Sequence, residues 1–200
     1  SSTNGQVDPN ITSLFDLPEL MANRNGPLPQ DRPHFFKIDG YYNFDFKQAG
    51  ELTTGLSFRA LSGTPVNATG AHYLYGRDET MLLPRGSMGR IGFDYNASIH
   101  VGFKRDLGKG MKLNGYIDFF NLTSFDFLNG QGTAGVDERY TRFNVNPVVG
   151  GKYEDLVYLK ELADGNGAET GTPARRNRNF GNPQFLYAAP AALIGARLTF

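Results

Sequence analysis

FKIDGYYNFDF, residues 36 to 46, sets Phe36, Ile38, Gly40, Tyr42, Phe44 and Phe46 on one face of an extended chain. Lys37, Asp39, Tyr41, Asn43 and Asp45 fall on the other. A period of two with one apolar and one polar face is the pattern of a β-strand lying between two different environments. After Lys47-Gln48-Ala49-Gly50 the alternation resumes, with Leu52, Thr54, Leu56, Phe58 and Ala60 opposed to Glu51, Thr53, Gly55, Ser57 and Arg59. Two such runs joined by so few residues predict a tight hairpin.

The same division returns from Ile91 to Lys104, where seven residues from Ile91 to Phe103 oppose a set that includes Asp94, His100 and Lys104. A short turn over 105–110 leads to Met111, Leu113, Gly115, Ile117 and Phe119, alternating with Lys112, Asn114, Tyr116, Asp118 and Phe120. The last strand sets Ala192, Ile194, Ala196, Leu198 and Phe200 against Leu193, Gly195, Arg197 and Thr199. The fold class predicted is all-β, with five antiparallel strands at about 34–46, 51–61, 90–104, 111–121 and 191–200.

A half-buried sheet in a soluble sandwich alternates in the same way, so alternation alone does not separate it from a membrane wall. Length does. Each run reaches the roughly 9 to 11 residues that a tilted membrane strand needs, against a mode of about 5 to 6 in soluble proteins. The connections also alternate: short at 47–50 and 105–110, long at about 62–89 and 122–190. Outer-membrane barrels keep short turns in the periplasm and long loops outside. Counting back from a periplasmic C-terminus puts both short turns in the periplasm, both long loops outside, and residues 1–33 in an extracellular loop segment. Five strands cannot close a barrel. Further strands are therefore expected, from the same gene product cut within an extracellular loop or from a second chain.

Composition agrees. Sixteen Phe, ten Tyr and 25 Gly favour strands and turns, and Cys and Trp are absent. Twenty basic residues balance twenty acidic ones, so no net field draws the chain to nucleic acid. No apolar run approaches the ~18 residues of a spanning helix. With three His (34, 72 and 100), no Cys, no GxSxG and no HExxH, the parts of nucleophilic and zinc catalysis are missing. No enzyme activity and no catalytic residue is assigned.

Several stretches together resemble the C-terminal barrel portion of TonB-dependent outer-membrane receptors, in the Oar-like subgroup with a carboxypeptidase-regulatory-like N-terminal domain. They are PHFFKIDGYYNFDF (33–46), FRALSGTPVNATGAHYLYG (58–76), LLPRGSMGR (82–90), YIDFFNL (116–122), VNPVVGG (145–151) and FGNPQFLYAAPAALIGARLTF (180–200). The resemblance implies a barrel of about 22 strands around a plug, a partner TonB engaged through a part of the receptor outside these residues, and uptake of a large solute across the outer membrane. It also implies that Gly195, Leu198 and Phe200 serve as the signal read by the barrel-assembly machinery. A structural or adhesive barrel, whose long loops bind a partner protein, is the alternative.

Candidate site residues follow from the polar face. Lys37, Asp39, Asn43, Asp45, Arg59, Asp94, His100, Lys104, Lys112, Asp118 and Arg197 are expected to face the lumen, as a hydrated wall or a surface packed on a plug. No resident cofactor is expected. Asp164, Asn166 and Glu169 form a weak calcium candidate, against the plainer reading of an acidic turn. Arg175-Arg176-Asn177-Arg178 could meet phosphates of the surrounding lipopolysaccharide and outer-membrane lipid. Tyr153–Ala163 (YEDLVYLKELA) carries Leu156, Leu159 and Leu162 at helical spacing and predicts a helix over the loop.

Overall fold

The computed structural model describes residues 13–123, 125–126, 130–131 and 133–200; residues 1–12 of the predicted N-terminal loop segment lie outside the described residues. Among the described residues fourteen strands appear in chain order: β1 (Phe35–Asp45), β2 (Glu51–Leu61), β3 (Thr69–His72), β4 (Gly76–Met81), β5 (Asp94–Gly108), β6 (Met111–Phe120), β7 (Phe125–Asp126), β8 (Gly130–Gln131), β9 (Thr133–Val136), β10 (Arg139–Asn144), β11 (Lys160–Leu162), β12 (Glu169–Pro173), β13 (Pro183–Leu186) and β14 (Ala191–Thr199). They belong to two compact units. Among the described residues one comprises those of 32–62, 92–134 and 186–200, the other those of 13–31, 63–91 and 135–185.

The first unit is an antiparallel sheet in the order β1-β2-β5-β6-β14. Its register follows from the alternation. Gly40 opposes Leu56, Leu56 opposes Ile99, Ile99 opposes Phe119 and Phe119 opposes Ala192, so one row of small and apolar residues crosses all five strands. On the other face Asp45 opposes Glu51, Glu51 opposes Lys104, Lys104 opposes Asn114 and Asn114 opposes Arg197. A slip of one residue would turn every side chain to the wrong face.

The apolar face is uncovered. Phe36, Ile38, Tyr42, Phe44, Leu56, Tyr95, Ile99, Phe103, Leu113, Ile194 and Leu198 are between 37% and 76% exposed. Aromatic rings gather at the two ends of this face. Phe58 lies 6.3 Å from Phe36 and 6.5 Å from Tyr95, and Phe93 lies 5.8 Å from Tyr95. Near the first tight turn Tyr42, Phe44 and Phe46 pack in series.

The third strand differs from its predicted bounds of 90–104. It starts at Asp94, because the backbone before it is committed elsewhere: Arg90 bridges Pro65, and the Ile91 N–H donates to the Thr64 carbonyl. It also continues through the expected turn to Gly108. Arg105 lies opposite Leu113, on the apolar side, which breaks the alternation without breaking the ladder. The hairpin closes over Gly108, Lys109 and Gly110, all left-handed at φ 77°, 55° and 83°, with the Asp106 carboxylate accepting the Gly108 N–H at 2.8 Å. Glycine suits such a turn because it has no β-carbon to strain.

The second unit is built from the long connections of that sheet, read from sequence as loops. β3 lies between β4, antiparallel, and β10, parallel. Its core holds Ala68, Leu82, Leu83, Tyr140, Val145, Leu156, Leu159 and Phe180. Asn23 ties its three segments together. Its amide nitrogen lies 3.0–3.1 Å from the carbonyls of Met81, Leu82 and Val148, while its side-chain oxygen accepts the Gly150 N–H at 2.9 Å.

The predicted helix over 153–163 is not formed as such. A 3-10 helix covers Tyr153–Tyr158, and Lys160–Leu162 is the strand β11, paired with β12. Leu156, Leu159 and Leu162 are all buried, since a spacing of three serves a 3-10 turn running into a strand as well as it serves an α-helix.

Candidate functional site

Two places concentrate polar side chains. The first is the polar face of the five-stranded sheet, where the register places Lys37, Asp39, Asn43, Asp45, Arg59, Asp94, His100, Lys104, Lys112, Asp118 and Arg197 on one side. Some of them meet. The Lys37 ammonium is 2.8 Å from Asp39, whose other oxygen accepts the Ser57 hydroxyl at 2.6 Å. His100 Nδ1 is 2.5 Å from Asp118, and the His100 ring stacks on Tyr116 with centroids 6.2 Å apart. Asp94 is 4.0 Å from Arg32.

A trough of about 450 Å³ runs across this face, lined by Asp39, Tyr41, Ser57, Ser98, His100 and Asp118 among others. Other candidates serve local structure: the Asp45 carboxylate accepts the Lys47 N–H at 2.7 Å and shapes the first turn. Charges of both signs in opposed rows give a face that water or a polar partner can satisfy, without a single focus of one sign.

The second place lies in the unit of long connections, around residues the sequence did not single out. Asp137, only 4% exposed, receives both Arg139 Nε at 2.9 Å and an Arg139 terminal nitrogen at 3.0 Å, a bidentate pair. Asn177 Nδ2 donates to Asp137 at 3.2 Å and to the Arg139 carbonyl at 3.0 Å. The Arg139 guanidinium holds the Asp137 carboxyl below the usual carboxylate range, and Asp137 in turn raises Arg139. Glu138 points the other way, its carboxylate accepting the Asn67 N–H at 2.9 Å. Glu138, through Asn67, and Arg139, 4.0 Å from Asp78, thus staple the two long connections to each other, while Asp137 and Asn177 hold Arg139 in place. No local spacing announces this, because these partners stand 38 to 71 residues away.

Two cavities of about 390 Å³ each adjoin this staple and share Asp78 and Arg139 in their walls. One is lined by Pro65, Val66, Ile91, Val136 and Phe185 among others, the other by Ala71, Arg77, Asp78, Arg139, Thr141 and Arg142.

Asp164, Asn166 and Glu169 are placed in a hairpin. Asp164 accepts the Asn144 side-chain amide, Asn166 accepts the Ala168 N–H at 3.1 Å, and Glu169 opens β12 opposite Leu162. Two oxygens that a cation would need are thereby engaged in the turn. Of the basic run, Arg175 lies over the Phe143 ring at 5.0 Å and Arg176 over Phe180 at 5.6 Å, so both help to close the core. Gly195 and Leu198 lie in β14, on the polar and apolar faces respectively, and Phe200 follows the strand, 93% exposed.

No family model matches the sequence, and no solved structure matches it. The chain is 36% identical, over 98% of its length, to the TonB-dependent transporter Oar of Myxococcus xanthus, and spans 19% of that protein. Strand register, exposed apolar face and this similarity together place the chain among the Oar-like TonB-dependent receptors of the outer membrane, as a C-terminal portion of one.

Proposed function

We propose that the five-stranded sheet is a stretch of the wall of a large transmembrane barrel, of about 22 strands, and that the whole receptor binds a large solute at the cell surface and moves it inward. The observation that carries this is the continuous register from β1 to β14, which makes one face apolar at its centre, Thr54 apart, and exposed. Soluble monomers rarely leave a contiguous apolar patch of that extent in water. Hydrocarbon needs such a face, and rings at its ends match the aromatic girdles of outer-membrane barrels.

In this reading the polar face lines the lumen, as a wetted wall or a seat for a plug. The tight turns and Phe200 lie in the periplasm, and the long connections lie outside. Among the described residues β1 and β14 each have a neighbour on one side only, and an unpaired edge in hydrocarbon costs several kcal/mol per group. Further strands therefore continue the wall at both edges. TonB is the energy-coupling partner that the Oar-like family implies.

These 200 residues contain no Cys, so single cysteines report cleanly. In an otherwise cysteine-free receptor, a membrane-impermeant maleimide should label Glu154→Cys on intact cells and Lys109→Cys only after the outer membrane is permeabilised. The reverse pattern would overturn the orientation. Binding of the full receptor to the periplasmic domain of TonB separates transport from the structural or adhesive alternative, which predicts none.

A further inference from the structure

The cavity lined by Arg77, Asp78, Arg139, Thr141 and Arg142 is charged in a particular way. Arg139 is satisfied by its bidentate pair with Asp137 and stands 4.0 Å from Asp78. Arg77 and Arg142 have no side-chain partner among the described residues. Arg77 and Arg142 are exposed at its mouth, and three guanidiniums against Asp78 and Asp137 leave an excess of one positive charge there that favours an anion. The Thr141 hydroxyl, buried, accepts the Phe143 N–H at 3.3 Å and keeps its own proton for an acceptor. Asp78 holds a left-handed backbone at φ 63°, a conformation uncommon outside glycine and found more often at ligand sites.

The adjoining cavity is different in kind. Pro65, Val66, Ile91, Val136 and Phe185 give it an apolar wall, and its three acids are engaged: Glu138 with Asn67, Asp137 with Arg139, and Asp78 at 4.0 Å from Arg139. Each cavity is of a size that holds part of a small ligand, and Asp78 and Arg139 are common to both. A basic chamber beside an apolar one fits a ligand with an anionic head and an apolar body.

We propose that this unit carries a two-part cleft for a carboxylate attached to an apolar group. Arg77 and Arg142 grip the carboxylate in bidentate fashion, with the Thr141 hydroxyl as a third donor, and the apolar group enters beside Phe185. A carboxylate matches the single excess charge better than a phosphate dianion does. The head group has two sources, the C-terminal residue of a peptide or a free organic acid. The inference deepens the receptor reading above, since it rests on the long connections facing the outside, and it names the class of group recognised there.

The test uses the full receptor in detergent and fluorescence anisotropy of three dansyl probes: dansyl-Gly-Leu-Phe with a free carboxylate, the same peptide as its amide, and dansyl-undecanoic acid. The free peptide or the undecanoic acid should bind saturably, and the amide at least tenfold more weakly than the free peptide. Preference between the two acids identifies the source. Arg77→Gln with Arg142→Gln should weaken the acid at least tenfold and leave the amide unchanged, while Arg77→Lys with Arg142→Lys should retain part of the affinity and show the fold intact. Equal binding of acid and amide, an unaffected double Gln variant, or no saturable binding overturns the proposal. Maleimide labelling at Glu154→Cys is independent of these results, so a failed cleft and a failed orientation are told apart.

Discussion

Tyr116 lies across Gly195. The two residues face each other in the β6–β14 register, and a β-carbon added to Gly195 would overlap the Tyr116 ring, with the phenolic oxygen only 2.6 Å away. The ring thus occupies the space that the missing side chain leaves open on the last strand, the arrangement by which an aromatic neighbour compensates a strand glycine.

Replacing Gly195 by Ala should therefore cost about 1–3 kcal/mol, the usual penalty for overfilling a packed site. The heat-dependent mobility shift of the receptor on electrophoresis should move to lower temperature. Tyr116→Ala in the same protein should recover part of the loss if the penalty is packing. If Gly195 instead matters only as a feature read during assembly, the double variant will assemble no better than Gly195→Ala.

Phe200 is 93% exposed beyond the end of β14, so its removal takes no packing from the sheet. Deleting it should nonetheless reduce the amount of receptor recovered in the outer membrane, without changing the melting behaviour of the fraction that folds. Equal yields with and without Phe200 would remove it from the assembly signal.

Ile99 sits in the apolar row that joins Gly40 to Ala192, midway between the aromatic ends, and Ser98 is its neighbour on the polar face. A lysine at the bilayer midplane on the lipid face costs about 2–4 kcal/mol. Ile99→Lys should lower the unfolding midpoint in phospholipid vesicles accordingly, and Ser98→Lys should stay within about 0.5 kcal/mol. Equal effects of the two would mean that the faces are not in different media.

The Asp137 carboxyl is held low in the folded unit by Arg139. A depressed pKa contributes stability above the unfolded value, about 3.9, that is lost as pH falls through the folded value. Protection of residues 135–185 from proteolysis should be flat from pH 7 down to about 5 and fall at more acid pH. Asp137→Asn should remove that acid transition and weaken the unit by roughly 1.5–3 kcal/mol at pH 7, the range for hydrogen bonds to charged groups. Arg139 is shifted upward from an already high value and adds no dependence in this range.

The sheet could be read from the chain because alternation is a local signal, and the residues that carry it, such as Ile38 and Asp39, keep it from one end of a strand to the other. The ends of β5 were less legible. Arg105 breaks the pattern while the ladder continues, and Ile91 fits the pattern while its N–H goes to Thr64. The long connections hid their structure for another reason. β3 and β10 are about 70 residues apart and pair in parallel, and Arg139 meets Asp78 through that pairing rather than through any spacing in the chain. The leucines at 156, 159 and 162 announced burial correctly but not conformation, because three-residue spacing serves more than one backbone.

The two tight turns do not end level. The last pair of the first hairpin, Asp45 with Glu51, stands in the row of Lys104, and β5 runs four residues further to Gly108. At the other rim β1 and β2 reach Phe35 and Leu61 in the row of Asp94, whereas β6 and β14 stop at Phe120 and Ala191, about four rows lower. Both rims step in the same sense, by about 13 Å at 3.3 Å per residue, over two to three strand spacings of about 4.8 Å. If the rims follow the two surfaces of a membrane, the strands lean by about 42–54° from its normal. That stagger is the shear that closes large barrels, and in such a wall β5 would cross the hydrocarbon on a slant from Asp94 to Lys104, with its charged tip from Arg105 onward standing clear of it.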